Sequence, residues 1–513
     1  MSKLRVDQIS PTDDSVTIDV SKLLTSTSTI QTDNVRFKPG YTGSTERVLT
    51  EKISERVSVK DFGAKGDGKT DDTAAIKAAI AYVISKSGGT VNLPAGRYIF
   101  NSTIDVSCTE GAPLVLQGEG KAATVLVYKG TSTTNDLIYA INSSHLTLRD
   151  FGVKSSTSMT SGCAIHIKYT SFATLKGIAA GTQSDVGSIN LWDGIYFDST
   201  DFSTLDDYVI FVKTTGLKVS GAGADQTTYP QYDLWCTRGK IASCTTGVLI
   251  GGGFDNFFMD STMLTYNGIN VVINNSLVDK YNGVLSFGDT CVIEHSQSGP
   301  CVYINDARAT NANSQITING HVSWGYSDGV AIDKYAGACV TIKSPFISYC
   351  TNHAIHVADS GCVMDIAIEC RITNNGKYAI YSEGANFSVN LPSRMENNGN
   401  TYNPNVVPKI GLQGISNTNF STLIPAGSAQ STASAVATDR VLVNSNSDAN
   451  AGIRLPAGWT GRTVKVFNYS AAALKIYPNS GASINALGTN ASMSLATGSS
   501  VEIYCSSTTQ WLT

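Results

Sequence analysis

Charge is what this sequence has least of. Asp, Glu, Lys and Arg make up 15% of its 513 residues, against about 25% in an average soluble protein. The 37 basic and 41 acidic residues leave a formal net charge of −4. There is no basic surplus to neutralise a phosphate backbone, which excludes a duplex nucleic-acid binder. Proline is scarce at 13 residues, so neither collagen nor a proline-rich linker fits. No run approaches about 18 apolar residues, so no membrane-spanning helix is expected. The opening Met1-Ser2-Lys3-Leu4-Arg5-Val6-Asp7 lacks the apolar stretch of a secretory leader. The eleven cysteines are odd in number and scattered, with no paired zinc spacing. They read as reduced, buried small hydrophobes. No metal and no cofactor is expected. A hydrophobic content of 42% excludes a disordered chain. What replaces charge is Ser, Thr, Asn and 47 glycines, the composition of a turn-rich, all-β protein.

Three zones follow one another. Residues 1–56 are polar, with short alternating runs such as Val16-Thr17-Ile18-Asp19-Val20, and read as an attachment arm. Residues 57–410 open on a helix predicted over 71–86, with Ile76, Ala79, Ile80, Val83 and Ile84 on one stripe. Thr70 or Asp71 is placed to cap it and Ser87-Gly88-Gly89 to stop it. Short apolar strands then recur behind Gly- or Asn-rich turns. Examples are Gly162-Cys163-Ala164-Ile165-His166-Ile167, Gly268-Ile269-Asn270-Val271-Val272-Ile273 and His353-Ala354-Ile355-His356-Val357. A coil-length period with no helical stripe between repeats is the mark of stacked β coils, which bury their inward side chains only by stacking. Residues 411–513 are nearly free of charge, with turn-separated strands such as Thr463-Val464-Lys465-Val466-Phe467, and read as a C-terminal β-sandwich. Leu442, Leu455, Trp459, Phe467, Ile476, Tyr477, Ile503 and Trp511 are more apolar surface than a lone domain of this size is expected to bury. Burial between copies of the chain is therefore expected.

The stretch Lys60-Asp61-Phe62-Gly63-Ala64-Lys65-Gly66-Asp67-Gly68, with Thr70-Asp71-Asp72-Thr73 and Leu93-Pro94-Ala95-Gly96-Arg97-Tyr98, resembles the opening of bacteriophage tailspikes with a pectate-lyase-like right-handed β-helix. Lys3-Leu4-Arg5-Val6-Asp7-Gln8-Ile9 is similar to short phage tail-attachment segments, and Glu502 to Trp511 to terminal β domains of phage tail proteins. The resemblance implies a right-handed parallel β-helix with a short cap helix, a homotrimer, and a place in the virion tail after synthesis in the host cytoplasm. It also implies attachment to the phage tail or another tail fibre through the arm. The partner it implies is a bacterial capsular polysaccharide or O-antigen, bound or degraded.

Candidate chemistry comes from aligning coils on the apolar residue before each turn: Leu264, Ile293, Val322, Ile347 and Ile372. Four places back, Asp260 and Asp289 fall in register; one place forward stands Glu294; two places forward stand Tyr266, His295, Trp324 and Tyr349. Glycoside cleavage needs one carboxyl group to protonate the leaving oxygen and another to activate water or attack. Asp260, Asp289 and Glu294 are therefore the expected catalytic cluster, with the aromatic column, Asp255, Asp328 and Arg308 as substrate-binding groups. Elimination from a uronate is the alternative chemistry, with His295 or Tyr303 as base and Arg308 neutralising the carboxylate. A non-enzymatic adhesin is the third reading. The stretch Asp193 to Asp207 carries five aspartates among aromatics and reads as a substrate-facing loop or a polar excursion from a coil. Gly66 to Asp72 looks like a calcium loop but lacks the closing Glu, so a turn with a helix cap is expected.

Overall fold

The structure is a computed structural model. It describes residues 35–182, 189–221, 233–252, 256–275, 283–306, 315–335, 339–358, 363–368, 371–383, 386–389, 394–396, 398, 400–402, 421–436 and 439–513. Most of the predicted arm, with Asp255 and Arg308, lies outside the described residues. The chain divides into two compact units, residues 1–387 with 391–406, and residues 388–390 with 407–513.

The first unit is a parallel β-helix. Its cap helix is Thr73–Ser85, burying Ile76, Ala79, Ile80 and Val83. Asp71 accepts the Thr73 amide at 3.0 Å. Asp72 instead turns back on the preceding loop and accepts the amides of Lys65 and Gly66. Asp67 takes the amides of Lys69 and Thr70. The loop's carboxylates are thus spent on turn and cap bonds.

Each later coil contributes a strand to each of three faces. One coil runs Asn256–Asp260, Met263–Thr265 and Ile269–Asn275; the next runs Val284–Phe287, Val292–Glu294 and Val302–Asp306. The third face is a 12-stranded sheet, and its strands pair in parallel. Ile138, Ile165, Ile195, Leu217, Val248 and Val271 stand one above another inside it, all fully buried. Burying such a side chain contributes about 1.5–3 kcal/mol, and a one-residue slip would turn the whole column out to solvent. The second face carries the predicted column Leu264, Ile293, Val322, Ile347 and Ile372 in direct register.

The second unit holds a six-stranded and a four-stranded sheet around one core. That core takes Val441, Val466 and Trp511 from one sheet and Ile453, Ile476 and Leu495 from the other. Several of its strand pairs are parallel, such as Arg440–Val443 with Thr463–Asn468. Of the eight apolar residues expected to need a partner copy, all but Trp459 are already buried within one chain. Two facing sheets cover more of that surface than residue counting suggests.

Candidate functional site

Where the second face bends into the third, the chain turns through one left-handed residue per coil. Tyr266, His295, Trp324, Tyr349 and Asn374 have φ of 54°, 51°, 54°, 56° and 58°. The left-handed backbone aims successive side chains the same way, and coil stacking lays their rings on one another. Ring centroids are 4.9, 5.4 and 4.6 Å apart from Tyr266 through His295 and Trp324 to Tyr349, with planes within 22° of parallel. The predicted aromatic column exists, but its inner ring faces are covered by each other. Edges and the two end faces are what solvent meets. Stacking of this kind contributes about 0.5–1.5 kcal/mol per pair and offsets left-handed strain of about 1–2 kcal/mol per residue. The column therefore works first as a ladder that holds the corner.

The predicted carboxylates do not stand in the expected register. Asp260 lies opposite Gly288 rather than Asp289, since Met259 pairs with Phe287 while Met263 pairs with Val292. The later coil has one extra residue in the corner between its first two faces, and that insertion breaks the assumed register. Asp260 is held by the amide and hydroxyl of Thr290 and the amide of Ser261, which lower its pKa. Asp289 is exposed in the turn. Glu294 stands beyond a whole further strand, with His295 Nδ1 at 3.5 Å from Oε1. Asp328 faces a different sheet: it accepts the His353 amide at 2.8 Å and pairs with His356 Nδ1 at 3.5 Å. That partnership holds the His356 pKa up against burial. His356 Nε2 lies 3.3 Å from Glu383. Tyr303 donates to Asp333 at 2.5 Å, and burial with that carboxylate pushes its phenol up to about 12, which unsuits it as a base.

A denser cluster stands on the third face, among strands Ile138–Ile141, Cys163–Lys168, Asp193–Asp198 and Thr215–Ser220. Alternation sends Ile165 and Ile167 inward and His166 outward, level with Tyr139 and Tyr196. His166 Nδ1 is 2.7 Å from Asp136, and Nε2 is 3.6 Å from Asp198. Lys168 Nζ is 3.4 Å from the same Asp198 oxygen. Tyr196 stacks on the imidazole at 4.6 Å, and Tyr139 meets it edge-on at 5.3 Å. Lys218 lies 4.4 Å over the Tyr196 ring. Asp136 also accepts the Cys163 amide, and Asp193 accepts the Thr215 amide. Gly194 keeps this sheet tight: a Cβ there would lie 2.2 Å from the Gly216 carbonyl oxygen.

The electrostatics divide the carboxyl groups. Burial alone would lower the His166 pKa, but its bonds to Asp136 and Asp198 outweigh burial and raise it. Reciprocally, burial opposes ionisation of Asp136 and Asp198, and His166 more than offsets it, so both are lowered. Asp193 goes the other way, raised chiefly by burial. Burial also raises Tyr139, and pushes Tyr196 up to about 12.

Sequence reasoning did not assemble this cluster. The segment Asp193 to Asp207 was a candidate loop; it forms two strands, Asp193–Asp198 and Ser203–Ile210. Asp198 joins His166, Asp193 stands opposite Cys163 on the same face and accepts the Thr215 amide, Asp206 pairs with Arg238, and Asp207 pairs with Lys121 at 2.5 Å. Aligning Ile138, Ile165 and Ile195 as a column would have placed Tyr139, His166 and Tyr196 side by side.

Comparison with known proteins agrees with the fold. Residues 56–276 match the family "Rhamnogalacturonase A/epimerase, pectate lyase-like". Over 91 residues the chain is 40% identical to the tail spike protein of an Escherichia phage, covering 17% of this chain and 11% of that one. Over 113 residues it is 33% identical to mannuronan C5-epimerase AlgE4 of Azotobacter vinelandii, 20% of each chain. Tailspike protein 3 of bacteriophage CBA120 superposes with a TM-score of 0.50 at 13% identity, over 94% of this chain and 73% of that one. The chain thus spans a fifth or less of either of these curated relatives. The chain shares the parallel β-helix fold of pectate-lyase-like proteins and is similar over part of its length to phage tailspikes.

Proposed function

We propose that this chain binds and depolymerises a bacterial surface polysaccharide, a capsule or O-antigen, and that the His166 cluster does the chemistry. The observation that carries the reading is that Asp136 and Asp193 flank the Cys163 strand on one face, Asp136 accepting the Cys163 amide and Asp193 standing opposite Cys163. Their surroundings push them apart: burial raises the Asp193 pKa, while against burial the bond to His166 lowers that of Asp136. Pairs of carboxyl groups whose surroundings push their pKa values apart are the acid and base of glycoside hydrolysis. Asp193 protonates the leaving oxygen, and Asp136 activates water or attacks the sugar. Asp198 and Lys168 position His166. The family match covers residues 56–276, which include this cluster and stop short of His295.

Elimination from a uronate is the second reading, favoured by Lys168 and the His166 imidazole beside Tyr139. It ranks lower since burial raises the Tyr139 phenol away from the range a base needs. Assembly as a homotrimer and attachment to the tail through residues 1–56 are part of the same proposal. They rest on the likeness to tailspikes, with exposed Ile424, Trp459, Tyr504 and Leu512 on the second unit as apolar surface for a partner copy.

The test is to screen an array of purified capsules and O-antigens and digest the polysaccharide that binds. New reducing ends without the ultraviolet absorbance of an unsaturated uronate support hydrolysis. Reducing ends with that absorbance overturn it in favour of elimination. Binding without either leaves an adhesin.

A further inference from the structure

The third face carries the His166 arrangement twice. In the first instance Asp136 gives one oxygen to the backbone amide of Cys163 and the other to His166 Nδ1, three residues further on. The imidazole's Nε2 then faces Asp198, two residues after Tyr196, whose ring lies against it. In the second instance Asp328 gives one oxygen to the amide of His353 and the other to His356 Nδ1, again three residues on. Nε2 faces Glu383, two residues after Tyr381, whose ring meets it edge-on at 5.2 Å. The histidines occupy the same outward column of the sheet. Between His166 and His356 that column holds Tyr196, Lys218, Leu249, Val272, Tyr303 and Ala331.

A device needed only to bond coil to coil would serve at any step of the stack. Among the described residues of this column, acid–imidazole–acid chains stand at these two steps. They are seven strands apart, about 34 Å at the ordinary strand spacing. The second chain is open to solvent on its Glu383 side: that side chain is 50% exposed, against 10% for Asp328 and 21% for His356. His353 covers one region of the Tyr381 ring, stacked at 4.5 Å. An exposed carboxylate beside an aromatic ring, fixed by a half-buried imidazole, is suited to a sugar: its oxygen accepts from vicinal hydroxyl groups while the ring meets apolar C–H bonds.

We propose that Asp328, His356, Tyr381 and Glu383 form a second polysaccharide-binding site, taking sugars of the same polymer that the His166 cluster cleaves. The proposal rests on reading the His166 cluster as a polysaccharide site. Glu383 and Tyr381 touch the sugar; Asp328 and His356 are positioning residues. One polymer spanning both sites converts the second contact into an intramolecular one and raises avidity without new contacts. A short fragment reaches one site alone and gains nothing.

The experiment uses the full chain, the array-selected polysaccharide and short fragments of it made by acid hydrolysis. Glu383→Gln and Tyr381→Ala are compared with wild type by calorimetric binding, with thermal melts to establish that each variant folds. The expected result is at least about tenfold weaker binding of the long polymer, with cleavage of short fragments unchanged. Wild-type polymer affinity in both folded variants overturns the second site. Full cleavage by a His166→Gln variant overturns the first site instead, so the two failures are distinguishable. An array on which wild type binds nothing overturns both.

Discussion

Replacing His166 by Gln removes the imidazole between two carboxylates and keeps a polar side chain of similar length. Asp198 is 8% exposed and Asp136 26%. Stripping the partner from a buried ion pair costs about 3–5 kcal/mol. Here the loss is smaller, since Lys168 stays on Asp198 and the Cys163 amide on Asp136. A destabilisation of about 2–3 kcal/mol near neutral pH is expected. Its pH dependence follows from the shifts. His166 is raised, so its contribution is complete below the unfolded value of about 6.5 and fades as pH rises through the higher folded value. Asp136 and Asp198 are lowered, so theirs is complete above about 4 and fades as pH falls through the folded values. The difference between variant and wild type should therefore peak between about pH 4 and 6.5 and decline as pH rises toward the folded His166 pKa. Thermal unfolding of the β-helix unit, followed by circular dichroism across pH, reads it. A melting difference that is flat with pH would refute the ion-pair reasoning, whatever its size.

Trp324→Gly should be more stable than Trp324→Ala by about 1 kcal/mol, since Gly accepts the left-handed φ without a Cβ clash; equilibrium unfolding of the two variants checks the order. Both should lose the ladder's stacking and keep polysaccharide affinity within about twofold. Folded protein should react with a thiol reagent at pH 8 far more slowly than unfolded protein. The eight described cysteines are buried, and burial lifts Cys244 and Cys291 to about 12 and Cys301 to about 11. Light scattering should give three times the 54.2 kDa chain mass, and a monomer would contradict the trimer.

The coil stack was legible because inward columns repeat one residue type. Leu264, Ile293, Val322, Ile347 and Ile372 align from sequence just as they pair in the sheet. The site was not, for two physical reasons. Corner lengths vary by one residue without disturbing the inward columns, so a count from Leu264 back to Asp260 does not transfer to Asp289. Outward columns carry no hydrophobic constraint, so Asp136, His166, Asp193 and Asp198 give no local signal and meet only through the fold. The aromatic column was found for the same reason as the core, since it too repeats a type. Its rings face one another, which sequence spacing alone does not reveal.

The central claim is that cleavage depends on the His166 cluster, and Asp193→Asn tests it most directly. Asn keeps the shape and cannot donate the proton. Chain length of the array-selected polysaccharide is measured by size-exclusion chromatography after incubation with wild type and variant. The account predicts cleavage at least about 10²-fold slower, with binding retained. Shortening at the wild-type rate by the folded variant would contradict it.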